Sequence, residues 1–111
     1  MASKYVPERG DLIWIAFDPQ AGHEQAGRRP GLVISPRSYN AKTKLALICP
    51  VTSQIKGYPF EVALPDGRIG GVILADQVRS LDWAARAAEK STQVDERVLR
   101  EVLAKIAALI N

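Results

Sequence analysis

The sequence predicts a mainly β (α+β) fold: a run of short strands followed by one C-terminal α-helix. Two observations carry this. Short apolar runs punctuated by Gly, Pro and Asp recur from residue 11 to residue 90, which is strand spacing. The pattern then changes, and Val98, Leu99, Val102, Leu103, Ile106 and Ile110 recur at helical spacing. Many short strands and then one helix suit a small SH3-like β-barrel, closed or half-closed, with the helix as a lid. The length of 111 residues suits a single domain over 1–111. A hydrophobic fraction of 47% is enough for a globular core without staples.

The elements follow in order. Asp11–Phe17 reads as a strand, bounded by Gly10 and by Asp18-Pro19. Pro30–Pro36 is a second, with a proline at each limit. Arg37–Thr43 is polar and short, a loop or one helical turn. Leu45–Val51 is apolar on both faces, which predicts a central strand. Phe60–Leu64 alternates and reads as half-buried, Asp66-Gly67 is a hairpin signal, and Gly71–Ala75 is a further strand. Val78–Leu81 and Ala84–Lys90 add two short ones. Thr92-Gln-Val-Asp95 fits a loose capping pattern for the helix. Glu96–Arg100 and Glu101–Lys105 have the favourable i,i+4 order.

Composition narrows the chemistry. One Cys excludes an internal disulfide framework and predicts a reducing, cytoplasmic setting. One His and one Cys cannot build a zinc site of the usual kind, and no metal or cofactor is expected. No apolar run approaches the roughly 20 residues that span a bilayer, and residues 1–9 carry no signal-peptide pattern, so no membrane role is expected. No phosphate-cradling glycine loop or dinucleotide fingerprint occurs. A two-histidine ribonuclease mechanism is impossible within one subunit, because His23 is the single His. Cys49 lies in the apolar strand and reads as a small buried hydrophobe. Trp14 and Trp83 read as core or interface aromatics.

The net charge of +3 is unevenly distributed. Residues 1–56 carry eight Lys+Arg against four Asp+Glu, whereas residues 57–111 carry seven against eight. No acid occurs between Glu24 and Glu61, an interval holding Arg28, Arg29, Arg37, Lys42, Lys44 and Lys56 with Tyr39 and Tyr58 interleaved. Cations beside aromatics suit a phosphate backbone and unstacked bases. An ordinary solvated face or an acidic protein partner fits the same patch. The long segment Asp18–Arg29 concentrates His23, Glu24, Arg28 and Arg29 among glycines. A carboxylate can take a proton and a guanidinium can hold phosphate oxygens in a fork. A surface salt bridge of Glu24 with Arg28 or Arg29 is the plainer reading of the same residues.

An ordered set of motifs carries a family resemblance. It comprises Gly10-Asp-Leu-Ile-Trp14, Phe17-Asp-Pro19, Gly22 with Glu24-Gln-Ala-Gly27, and Arg29-Pro30. Ser35-Pro36, Tyr39-Asn40, Pro50 with Thr52, Lys56-Gly-Tyr-Pro-Phe-Glu-Val62, Leu74-Ala-Asp-Gln-Val78, Ser80 and the terminal helix follow. In this order they resemble the MazF/PemK family of toxin endoribonucleases (mRNA interferases) over essentially the whole chain. The resemblance implies a MazF/CcdB-like barrel acting as a homodimer. It implies metal-independent cleavage of single-stranded RNA, including mRNA, at short specific sequences. The 2′-hydroxyl attacks the adjacent phosphorus, leaving a 2′,3′-cyclic phosphate and a 5′-hydroxyl. The implied partner is a MazE-like antitoxin with an acidic, flexible tail, and the biological outcome is growth arrest through blocked translation.

By that resemblance the catalytic residues are Arg29, Thr52 and Glu24. Arg29 stays cationic and suits charge stabilisation, Glu24 is the better base on pKa grounds, and Thr52 can donate or accept a hydrogen bond. Some relatives carry His where this chain has Arg28, which points to phosphate binding at that position rather than proton transfer. RNA binding is expected of Phe17, Gln25, Arg28, Lys56, Tyr58, Gln77 and Arg86, with a core role as the alternative for Phe17. A CcdB-like gyrase-binding poison without ribonuclease activity is the rival reading. It expects a Trp-containing C-terminus, where this sequence has Ala-Leu-Ile110-Asn111. A plain RNA-binding barrel is the other.

Overall fold

Gly10, at φ +95°, turns the chain into its first strand. The structure, a computed structural model, describes residues 5–17, 27–65 and 69–111. Its strands are β1 (Asp11–Ala16), β2 (Arg28–Val33), β3 (Leu45–Thr52), β4 (Glu61–Ala63), β5 (Val72–Leu74), β6 (Arg79–Asp82) and β7 (Glu89–Gln93). Its helices are α1 (Arg37–Thr43) and α2 (Glu96–Ile110). All strand pairings are antiparallel, in the order β4-β5-β3-β2-β1-β7, with β6 also on β3.

β3 is central, as its apolar run predicts. One edge pairs with β2, while the other pairs first with β6, through Leu45–Ile48, and then with β5, through Val51 and Thr52. The change of partner falls at Cys49-Pro50, where proline has no N–H to give a ladder. Among the described residues β4 and β7 are edges that do not pair with each other, so the SH3-like barrel is half-closed.

Period-2 alternation divides the apolar residues of β1, β2 and β3 between two cores. Leu12, Leu32, Cys49 and Val51 join Val62, Ile73, Val98 and Val102 beneath α2. Ile13, Ile15, Val33, Ala46 and Ile48 join Phe17, Leu81 and Trp83 on the other side. Gly31 sits where a Cβ would collide with Ile48 and the Phe17 ring, so the missing side chain lets Phe17 lie across the sheet.

Helix α2 is the expected lid, with Val98 and Val102 buried and Leu99, Leu103 and Ile106 packed against the core. Ile110 continues the stripe but is 78% exposed, because the last turn runs past the sheet. The cap is Asp95 alone, whose carboxylate accepts from the Arg97 N–H at 2.8 Å, rather than the Thr92 pattern. Among the described residues neither i,i+4 pair closes: Lys105 Nζ instead donates to the Pro59 carbonyl at 2.6 Å.

Three boundaries differ from the sequence reading, and one expectation is left untested. β2 begins at Arg28, before Pro30, because Ala16 and Ile15 continue their pairing to Arg28 and Arg29. Residues 37–43 form two turns of helix, closed by Lys44 at φ 63°. Ala84–Ala87 is a turn, with Ala87 at φ 55°, and the strand follows it as β7. The Asp66-Gly67 hairpin signal lies outside the described residues.

Buried polar groups are all partnered among the described residues. Asn40 bonds Ser35 and the Pro7 carbonyl, and its own carbonyl accepts from Trp83 Nε1 at 3.0 Å, placing Trp83 in the core. Asp11 accepts from the Tyr5 hydroxyl at 2.6 Å, the Glu8 N–H and Gln93 Nε2, and pairs with Lys90 at 3.6 Å. No helix of the described residues is long and apolar enough to cross a membrane.

Gly71 positions the end of β3. At φ +116° it lies against the Thr52 backbone, where a Cβ would overlap the Thr52 carbonyl. Gly71→Ala therefore carries both backbone strain and a clash, and is expected to cost about 2 kcal/mol or more. The measurement is urea unfolding, with a lower midpoint at unchanged slope. A midpoint equal to that of the parent chain would show that the approach is not required.

Candidate active site

At the end of the sheet where β2 starts and β3 stops, a groove of about 520 Å³ opens to solvent. Trp14, Arg29, Pro30, Thr52, Ser53 and Gln54 are among its lining residues. The strand register makes this grouping. Gly31 pairs with Pro50 and Leu32 with Cys49. The same register continued past the ladder sets Arg29 opposite Thr52, so both project from one side of adjacent strands.

Thr52 is half-buried, and its Oγ1 accepts from the Gln54 N–H at 3.1 Å. That bond uses a lone pair and leaves the hydroxyl proton to donate. Arg29 is exposed, and among the described residues nothing is hydrogen-bonded to its guanidinium. The neighbouring Arg28 differs in that its guanidinium is already engaged. Its guanidinium bonds the Ala87 carbonyl at 3.1 Å and pairs with Glu89 at 3.0 Å. Arg28 thus braces β2 against the β7 side, and the phosphate-holding role expected of it has no geometric support.

Two further expectations change. Phe17 is 4% exposed, so it is core rather than a stacking platform. Arg86 Nη1 donates to the carbonyls of Ala16 and Phe17, at 2.9 and 3.0 Å, while Ala16 N–H donates back to the Arg86 carbonyl. The Phe17 N–H in turn bonds the Gly27 carbonyl at 2.8 Å. Arg86 therefore ties down the base of the segment that carries Glu24, instead of presenting its charge to a ligand. Glu24 and Gln25 themselves lie outside the described residues.

Lys56, Tyr58 and Gln77 form a second group. Residues 53–60 leave the groove through Ser53 and Gln54 and carry exposed Lys56 and half-exposed Tyr58. The Tyr58 hydroxyl meets Gln77 and Asp76, and partial burial with the nearby carboxylates of Asp76 and Glu61 pushes its pKa up.

Trp14 was not singled out for the site by sequence reasoning. It is 39% exposed and lines the groove. It pairs with Pro30 across β1 and β2 and lies two residues beyond Leu12, where α2 no longer covers the sheet. Because 12–17 is apolar throughout, alternation could not show which face opens. Among the described residues no group of three or more His, Cys, Asp or Glu side chains could hold a metal ion.

Residues 8–110 match the family model of PemK-like, MazF-like toxins of type II toxin–antitoxin systems. The chain belongs to the PemK/MazF toxin family. It is 54% identical over 110 residues to the endoribonuclease toxin MazF of Escherichia coli strain K12, covering 99% of both chains. It is 38% identical to the endoribonuclease PemK of E. coli, covering 93% of this chain and 81% of that one. A crystal structure of Deinococcus radiodurans MazF superposes with a TM-score of 0.87 at 55% identity, over 96% of this chain and 98% of that one. A MazE–MazF complex from the same organism gives 0.86 at 48% identity, over 96% of this chain and 97% of that one.

In this PemK/MazF chain Cys49 takes no part in the site. It is fully buried, and burial, reinforced by Asp76, pushes the thiol up to about 12. At pH 8 roughly one molecule in ten thousand would then hold a thiolate. A soluble thiol reagent at pH 8 is expected to leave the folded protein unlabelled and to label it fully in denaturant. Rapid labelling under native conditions would contradict this burial.

Proposed function

We propose that this chain is the toxin of a type II toxin–antitoxin pair, a sequence-specific endoribonuclease that cleaves single-stranded RNA without a metal. The observation that carries the reading is the placement of exposed Arg29 opposite Thr52 in one open groove. The activity borne by the names of its relatives, the endoribonucleases MazF and PemK of E. coli, supports it.

Transesterification needs an in-line 2′-hydroxyl, a counter-charge for the pentavalent phosphorane and two proton transfers. The bond from the 2′-oxygen to phosphorus forms as the bond to the 5′-oxygen breaks. The 2′-hydroxyl gives up one proton and the leaving 5′-oxygen takes one, so the products are a 2′,3′-cyclic phosphate and a 5′-hydroxyl. Arg29 supplies the charge: its guanidinium is permanent, and among the described residues no carboxylate competes for it. Thr52 Oγ1, already accepting from Gln54, donates its proton to a phosphate oxygen or the 2′-oxygen. Glu24, on the segment whose stem Arg86 and Gly27 hold, takes the 2′-hydroxyl proton. Lys56, Tyr58 and Gln77 read the bases beside the cut, and Trp14 offers a face on which a base can stack.

The partner is a MazE-like antitoxin, a reading supported by the MazE–MazF complexes of D. radiodurans, and its acidic tail competes for the same cations. The working form is a cytoplasmic homodimer. A gyrase-binding poison on this fold would leave the Arg29–Thr52 pairing without a use.

The direct test is purified protein with a long RNA in EDTA, which is expected to give discrete cuts ending in cyclic phosphate. Binding without cutting would support a plain RNA-binding barrel instead. Arg29→Ala is expected to lower kcat/KM by about 10²–10³, the range for losing a charge-stabilising donor. Thr52→Ala is expected to cost about tenfold to a hundredfold. Both should keep the parent's urea midpoint, and near-normal cutting by either would remove that residue from the reaction. A single deoxyribose at the scissile position should abolish the cut and spare binding, whereas cleavage there would overturn the 2′-hydroxyl mechanism.

A further inference from the structure

The segment 53–60 joins β3 to β4 without regular secondary structure; its first two residues, Ser53 and Gln54, line the groove, and it goes on to carry Lys56 and Tyr58. A chain without a ladder holds one conformation only if its polar groups are otherwise satisfied. Here one side chain satisfies two consecutive amides in the middle of the loop. Glu61, the first residue of β4, accepts from the Lys56 N–H through Oε2 and from the Gly57 N–H through Oε1, both at 2.9 Å. Two consecutive amides turned toward one carboxylate form an anion-holding concavity. Gly57 adopts φ +84° there, although nothing lies within 4 Å of where its Cβ would be. Its glycine therefore answers to backbone conformation and not to crowding.

The return of the loop is fixed as well. Glu61 N–H donates to the Tyr58 carbonyl at 3.2 Å, Ala75 N–H to the Phe60 carbonyl at 2.9 Å, and Lys105 of α2 to the Pro59 carbonyl. The carboxylate is thus spent on backbone amides. The Lys56 ammonium, only five residues away, has no ion pair among the described residues and stays exposed.

We propose that Glu61 is a positioning residue for RNA. By clamping Lys56 and Gly57 it holds the 53–60 loop in a binding-ready form, so it governs substrate affinity and base choice and not the chemical step. This rests on the endoribonuclease reading above and deepens it. A carboxylate near a polyanion would by simple charge weaken binding, so the clamp and the charge predict opposite results on removal.

The test compares Glu61→Ala, Glu61→Gln and Gly57→Ala with the parent chain on one RNA carrying the mapped cut site. The same RNA with deoxyribose at the cut serves for binding. Glu61→Ala is expected to raise KM and Kd about tenfold with kcat within about threefold. Glu61→Gln, whose single carbonyl oxygen can hold one of the two amides, should recover part of that loss. Gly57→Ala should reproduce the Glu61→Ala pattern through backbone strain alone, and it serves if Glu61→Ala does not fold. Adding Lys56→Ala to Glu61→Ala should cost less than Lys56→Ala costs by itself, since the lysine is already misplaced. Unchanged KM and Kd in folded Glu61→Ala and Gly57→Ala, a tighter Kd in Glu61→Gln, or a fall confined to kcat would overturn the proposal. A parent chain that cuts no RNA would instead overturn the activity reading on which it rests.

Discussion

The antiparallel register of β2 on β3 is the constraint on which the site depends. Gly31 opposite Pro50 and Leu32 opposite Cys49 are buried pairs, one toward each core. A slip of one residue would drive Arg29 and Thr52 to opposite faces and put apolar side chains into water. The two hydrophobic cores therefore enforce the geometry of two polar residues that neither core contains. Glycines at 31 and 71 permit the close approaches this demands, the first for the Phe17 ring and the second for the Thr52 backbone.

Electrostatics in this chain depends less on how many cations there are than on which are committed. Arg28 and Arg86 are held by carbonyls and, for Arg28, by Glu89. Arg29 and Lys56 are exposed, and among the described residues no carboxylate pairs with them. The acid-free interval noted in the sequence thus contains both cations committed to the scaffold and cations left open to solvent. Glu61, which ends that interval, does not neutralise it, because its carboxylate is turned to the backbone.

Much of the fold was legible from the residues. The doubly apolar run 45–51 marks a strand with cores on both sides, and the 98–106 stripe marks a lid. The ordered motifs carried the family. What stayed hidden was set by tertiary context. Arg28 and Arg29 are identical side chains one residue apart, and only the tertiary partners of Arg28 separate a brace from a candidate catalytic group. Phe17 and Trp14 both belong to the apolar run 12–17, and only tertiary packing, with the bare Gly31 making room for the first, decides that it is buried and the second open. The turn at 84–87 was missed because it is alanine-rich and relies on Ala87 in the left-handed region, where glycine is the usual signal.

The two tryptophans have a consequence for observing this molecule. Trp83 is 7% exposed and hydrogen-bonded inside the second core, whereas Trp14 stands on the groove wall. The protein therefore carries two built-in optical reporters of different meaning, one sensitive to whether the barrel is folded and the other to whether the groove is filled. The intrinsic emission of the unmodified chain therefore carries both signals, without a dye and without altering a residue of the site.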